Sequence, residues 1–125
     1  MKTHYTKNAP EPIGPYSQAM EHNGLLYLSG QIAINPLTGD LNNENIESEI
    51  KQVMINISSI LSSAGAGFDK VIKTTIFLTN MDDFAAVNAV YGRYFNGDFP
   101  ARETVEVSRL PKNVRVEISM IAALN

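Results

Sequence analysis

The chain carries 125 residues, a net charge of −3 and no cysteine. A chain of this length buries roughly two thirds of the surface it exposes when unfolded, so a single domain spanning residues 1–125 needs no covalent staple. Without cysteine there is no disulfide, no thiolate metal site and no thiol nucleophile, and His4 and His22 alone are too few for a zinc cluster. The ten lysines and arginines are scattered instead of forming a basic stripe, which argues against nucleic acid as a main partner. No apolar run approaches the roughly 20 residues that span a bilayer, and the opening MKTHYTKNAPEPIGPYS lacks the apolar centre of a signal peptide. These features predict a soluble, cytoplasmic protein with no membrane partner.

In chain order, Pro10, Pro12, Gly14 and Pro15 remove backbone donors and favour turns, so residues 1–15 are expected to be irregular. A strand over Tyr16–Glu21 then turns at His22-Asn23-Gly24, where Asn-Gly suits positive φ, and returns through Leu25–Ser29 as a β-hairpin. Gln31–Ile34 continues the sheet after a kink at Gly30. From about Glu44 the period changes: Ile46, Ile50, Val53, Met54, Ile57, Ile60, Leu61 and Ala64 line one face of a long helix that Gly65 ends. Val71–Thr79 is β-branched and reads as a strand. A second helix starts at Met81-Asp82-Asp83, with Asp82 or Asp83 as N-cap and Phe84, Val87, Val90, Tyr91 and Tyr94 inward.

Residues 99–119, FPARETVEVSRLPKNVRVEIS, read as a terminal hairpin. The sum is an α+β domain: a mixed sheet with both helices on one face and the other face uncovered. In the last two strands Val105 and Val107 alternate with Arg102, Thr104 and Glu106, while Val114, Val116, Ile118 and Met120 alternate with Arg115, Glu117 and Ser119. The polar register suits solvent, a ligand pocket or a subunit interface.

Familiar catalytic motifs are absent: no GxxxxGK[ST], HExxH or GxSxG occurs. Gly65-Ala66-Gly67 follows a helix and precedes a strand, the reverse of a pyrophosphate-binding turn. Lys73 reads as a solvated strand lysine, and His4 and His22 as exposed groups in a tail and a turn. Arg102 stands out, because a guanidinium matches a carboxylate bidentately and stays charged in a pocket. With Thr104 beside it and Glu117 on the partner strand, the hairpin could bring a carboxylate-binding cation near a carboxylate able to orient or deprotonate water. Strand arithmetic alone favours the plainer reading of Arg102 as half of a surface ion pair.

Four stretches are more specific than any of these motifs: IGPYSQA at 13–19, LYLSGQIAINPLTG at 26–39, VIKTTIFLTNMDDFAAVNAVYGRYF at 71–95 and FPARETVEVSRLPKNVRVEISMIA at 99–122. Together they resemble the Rid/YjgF family nearly end to end, most closely its RidA branch of enamine/imine deaminases, the 2-iminobutanoate/2-iminopropanoate deaminases. The resemblance implies a chorismate-mutase-like α+β fold, a homotrimer with sheets facing inward and active sites in clefts between subunits. It also implies hydrolysis of 2-aminoacrylate-derived 2-imino acids to 2-keto acids and ammonia, with no cofactor and no metal.

By the same resemblance Arg102 clamps the substrate carboxylate and Glu117 helps place the attacking water. Tyr16, Ser29 and Asn88 match further pocket positions, and Gly30 matches one whose backbone amide meets the carboxylate. Thr104 stands where many relatives have a cysteine, which removes thiol-dependent behaviour without touching the hydrolysis. A trimer that binds or senses 2-keto acids without turnover remains an alternative. A ribonuclease fits the acidic composition less well, and no residue favours or opposes a holdase role.

Overall fold

The computed structural model describes residues 1–125. One six-stranded sheet carries β1 (Lys2–His4), β2 (Ala19–His22), β3 (Leu25–Leu28), β4 (Val71–Leu78), β5 (Ala101–Glu106) and β6 (Val116–Ala123) in the spatial order β1-β2-β3-β6-β4-β5. Helices α1 (Ile46–Ser63) and α2 (Phe84–Tyr91) pack against each other on one face. No helix is long and apolar enough to cross a membrane.

Several elements follow directly from local chemistry. Asn23 (φ 51°) and Gly24 (φ 77°) both occupy the left-handed region, the geometry of a tight hairpin turn matched to strand twist, and they set the register Ala19↔Leu28. The Asn45 side chain accepts from Ser48 N at 2.8 Å to start α1, whose buried face holds Ile50, Val53, Met54, Ile57, Ile60 and Leu61. Gly65 (φ 75°) ends it, with Ala66 N bonded to Leu61 O at 2.9 Å.

Other expectations need correction. Residues 1–15 are not wholly irregular: β1 pairs antiparallel with β2, and His4 Nε2 lies 2.8 Å from Glu21 Oε1, so His4 is a half-buried strand residue. The strand expected from Tyr16 begins only at Ala19. Gln31–Ile34 adds no strand but two isolated bridges, Gln31 with Ile118 and Ile34 with Leu41. The cap before α2 is Asn80, whose Oδ1 accepts from Asp82 N at 2.9 Å and opens a single 3-10 turn over Met81–Asp83; the Asp83 side chain makes no capping bond.

The largest correction concerns residues 99–119, which are not a hairpin. β4, α2 and β5 form a crossover unit, so β5 lies parallel to β4, while β6 lies antiparallel to β4 on its other side. Where the chain leaves β5, Val107 N donates to Leu78 O at 2.8 Å; as it returns, Thr79 N donates to Arg115 O at 3.1 Å. Residues 107–115 therefore pass around the end of β4. The arrangement makes β4 an interior strand with Thr74, Ile76 and Leu78 fully buried.

Paired residues on neighbouring strands point to the same side. Met120, Thr74 and Arg102 form one row, and Ile118, Ile76 and Thr104 the next, all on the helix-covered face. The opposite face carries Glu117, Phe77 and Val105 in one row, with Tyr27, Ile121 and Lys73 in another. No element of the chain covers that open face, on which Tyr27 and Val105 remain 45% and 40% exposed.

Candidate functional site

Two clusters contain the residues expected to act together, and they sit on opposite faces of the sheet. The first surrounds a cavity of about 310 Å³ lined by Tyr16, Ser29, Gly30 and Glu117, with Gln31 and Ile34 deeper in and Pro10, Glu11 and Ile13 as an outer wall. Buried Gln18 holds that wall: its side-chain amide donates to Thr6 O at 3.0 Å and Pro10 O at 2.9 Å, and its oxygen accepts from Thr6 N at 2.8 Å. Ser29 Oγ donates to Ser17 O at 2.5 Å, and the Tyr16 hydroxyl accepts from Ile13 N at 3.2 Å. These bonds fix the chain from 13 to 18 across the cavity from β6.

Electrostatically the cavity is one-sided. Its charged lining groups are the carboxylates of Glu11 and Glu117, with no lysine or arginine among them. Burial pushes the Glu117 carboxyl above the ordinary glutamate range, because a half-desolvated carboxylate has lost part of the water that stabilises its charge. Such a group can hold water and exchange a proton, but it repels the carboxylate of a ligand.

The second cluster lies on the helix side at the edge strand β5. The Arg102 guanidinium stacks over two rings presented by α2, 5.1 Å from the Tyr91 centroid and 5.7 Å from that of Phe84. Tyr91 is fixed in turn by its hydroxyl, which donates to Thr74 Oγ1 at 3.0 Å; burial raises the pKa of this phenol. The ion pairs of the chain are His4–Glu21, Lys73–Glu103 and Arg115–Glu49, so Arg102 is not half of a surface ion pair. On the same face, Thr104 Oγ1 two residues along β5 and Asn88 Oδ1 on α2 between the two rings are both buried without a hydrogen-bond partner. A buried polar atom left unpaired costs roughly 1–3 kcal/mol, and two of them next to a free cation mark an incomplete site.

The expected residues thus fall into two sets. Tyr16, Ser29, Gly30 and Glu117 share the cavity, whereas Arg102 and Thr104 lie across β4 on the other face with Asn88. The sequence-based placement of Arg102 beside Glu117 within one hairpin is therefore wrong. The parity argument itself holds: Arg102 and Thr104 share one face and Val105 takes the other. Sequence reasoning missed Phe84 and Tyr91 as the rings that seat Arg102, although their seven-residue spacing on one helix face was readable. It also missed Glu11 and Gln31 in the cavity wall, for which no local signal exists.

A family model described as Endoribonuclease L-PSP matches residues 6–124. The same fold, with a TM-score of 0.95 and 55% sequence identity over 98% of both chains, occurs in a protein of unknown function of the conserved Rid family from Yersinia pestis. The chain belongs to the Rid/YjgF family. Its fold is accordingly the Rid/YjgF fold, an α+β sheet with two helices on one face. A mouse protein named 2-iminobutanoate/2-iminopropanoate deaminase is 44% identical, over 94% of this chain and 87% of its own length. Escherichia coli TdcF, solved with bound serine, matches over 100% of both chains with a TM-score of 0.95 and 35% identity.

Proposed function

We propose that this Rid-family chain is a cofactor-independent deaminase that hydrolyses 2-imino acids, formed from enamines such as 2-aminoacrylate, to 2-keto acids and ammonia. The observation that carries the reading is the complementarity of the two half-sites. One copy offers a cavity with a proton-exchanging carboxylate and no cation; another face offers Arg102 with two unpartnered polar atoms and no cavity. A second copy placed against the open face brings the two together. The apolar Tyr27, Phe77, Val105 and Ile121 on that face favour such association, and a cyclic homotrimer supplies every copy with the same contact.

In the assembled site the Arg102 guanidinium grips the substrate carboxylate, turning a free encounter into an oriented one. Thr104 and Asn88 offer their unpaired oxygens to the imine nitrogen or to a water, and the Gly30 amide lies at the cavity edge. An enamine first takes a proton at C3 and releases one from its nitrogen, becoming the imine. Glu117 then orients water, accepts one of its protons as the oxygen bonds to C2 and passes that proton to the nitrogen, which regenerates the carboxylate. The resulting carbinolamine gives its hydroxyl proton through Glu117 to the nitrogen as the C–N bond breaks, leaving keto acid and ammonia. A carboxyl whose pKa is raised by burial is a stronger base than an ordinary carboxylate, which suits both the taking and the returning of that proton. Every atom comes from substrate and water, so the route asks for no cofactor.

The test is ammonia release from a 2-imino acid generated in situ by an amino-acid oxidase, with Arg102→Ala as control. The wild type accelerates release and the variant does not. Equal rates for the two overturn the assignment of Arg102. Serine bound to the Escherichia coli relative favours a second reading, in which the site holds small amino or keto acids without turnover. Calorimetric binding of 2-ketobutyrate without accelerated ammonia release selects it.

A further inference from the structure

We propose that Gly30 is a positioning residue whose missing side chain forms the seat of the Glu117 carboxylate. This inference rests on the reading of Glu117 as the water-holding group, and gives Gly30 a task separate from any hydrogen bond its amide makes. A Cβ built on Gly30 falls 2.4 Å from Glu117 Oε2, 2.8 Å from Cδ and 3.0 Å from Cγ, inside contact distance for all three atoms. The glycine is not needed for backbone conformation, because the positive-φ glycines are Gly24, Gly39, Gly65 and Gly97. What the position requires is the absence of a methyl group.

The backbone around this contact is pinned. Gln31 N donates to Ile118 O at 2.8 Å and Ile118 N to Gln31 O at 3.1 Å, so the residues that precede them, Gly30 and Glu117, are held as diagonal neighbours on one face. Neither segment can slide to relieve a clash without breaking this bridge. The Glu117 side chain is the part that yields, and its freedom lies toward the cavity. The bare Cα of Gly30 also removes water from one side of the carboxyl, in keeping with its raised pKa. The titratable groups that share the cavity with Glu117 are Glu11 and Tyr16; along the open face Glu103 stands in the next row and Lys73 in the row after it, paired with each other. None of these is displaced by a methyl at position 30.

The experiment is a double-mutant cycle. Gly30→Ala is made in the wild type and in Glu117→Ala, and kcat and KM for 2-iminopropionate hydrolysis are measured in all four proteins. In the wild-type background Gly30→Ala lowers kcat by about 10- to 100-fold, the scale of a misplacement of about 1 Å, with KM moving far less. In the Glu117→Ala background the same change lowers kcat no more than about twofold, since the displaced group is gone. Equal losses in both backgrounds overturn the proposal and give Gly30 a role through its own amide.

A second readout separates failure of this inference from failure of the deaminase reading. The Glu117 carboxyl is titrated by carbon-13 NMR in wild type and Gly30→Ala, whatever their activity. The proposal requires its pKa to fall toward the ordinary glutamate value in the variant, with a thermal melt at neutral pH no lower than that of the wild type. An unmoved titration rejects it even if the chain hydrolyses imines, and a shifted one upholds it even if the chain only binds keto acids.

Discussion

Glu49 on α1 is fully buried, and it is the group that ties the helix to the start of β6, immediately before Glu117. Its Oε2 accepts from Arg115 N at 2.8 Å and Val116 N at 3.1 Å, while Oε1 accepts from Arg115 Nε at 2.8 Å. Truncation by Glu49→Ala leaves two backbone N–H groups without an acceptor at about 1–3 kcal/mol each. The lost attraction to Arg115 adds little, roughly 0–1 kcal/mol, because that side chain is 38% exposed. The sum, about 2–7 kcal/mol, brackets the scale of about 3–5 kcal/mol for breaking a buried ion pair by removing one partner. In a domain of this size about 1 kcal/mol moves the midpoint by roughly 3–5 °C, so Glu49→Ala should melt on the order of 10–20 °C lower at fixed protomer concentration. Glu49→Gln keeps one acceptor oxygen for both N–H groups and should lose about a third of that. A Glu49→Ala melt within about 2 °C of wild type refutes the idea that this carboxylate anchors β6.

Three further outcomes follow from the same geometry. Tyr91→Leu removes the ring nearest Arg102, about 0.5–2 kcal/mol of cation–π attraction, and should raise KM for the imino acid more than it lowers kcat; an unchanged KM would separate the ring from the clamp. Thr104→Val replaces an unpaired buried hydroxyl with a methyl, so the protomer should be no less stable, by about 0–1 kcal/mol, while 2-ketobutyrate binds more weakly by calorimetry. The Glu117 carboxyl is raised on folding, so its favourable contribution exists below the unfolded glutamate pKa and is lost as pH rises through the folded value. Glu117→Gln should therefore be more stable than wild type near neutral pH, with the gain vanishing below about pH 4 in denaturant titrations. A gain that persists in acid points to another cause.

Locally encoded features were readable from the residues. The Asn23-Gly24 turn needs only two neighbours in the left-handed region, and α1 declares itself through the spacing from Ile46 to Leu61. The three-residue β1 is too short for alternation to register, and it is stabilised by pairing with β2 across the sheet edge. The supposed hairpin failed because strand order is a long-range property. Val105 and Ile118 look alike in a hydrophobic pattern, yet β5 turns its valine to the open face and β6 turns its isoleucine to the helices. As an edge strand, β5 can carry Arg102 and Thr104 on its helix side, where an interior strand needs apolar residues. Family resemblance named Arg102 and Glu117, but the sheet topology is what separates them, which is why the proposed site draws on a second copy.

The central claim is that Arg102 of one copy works with Glu117 of another. It is tested most directly by co-expressing Arg102→Ala and Glu117→Ala subunits and measuring ammonia release from 2-iminopropionate. In a randomly mixed cyclic assembly about one site in four receives both intact residues. The mixture is therefore predicted to exceed the average of the two pure variants and to approach about one quarter of wild-type activity when each parent is inactive. A mixture no more active than that average would contradict the account, and would mean that the two residues do not meet across a subunit boundary.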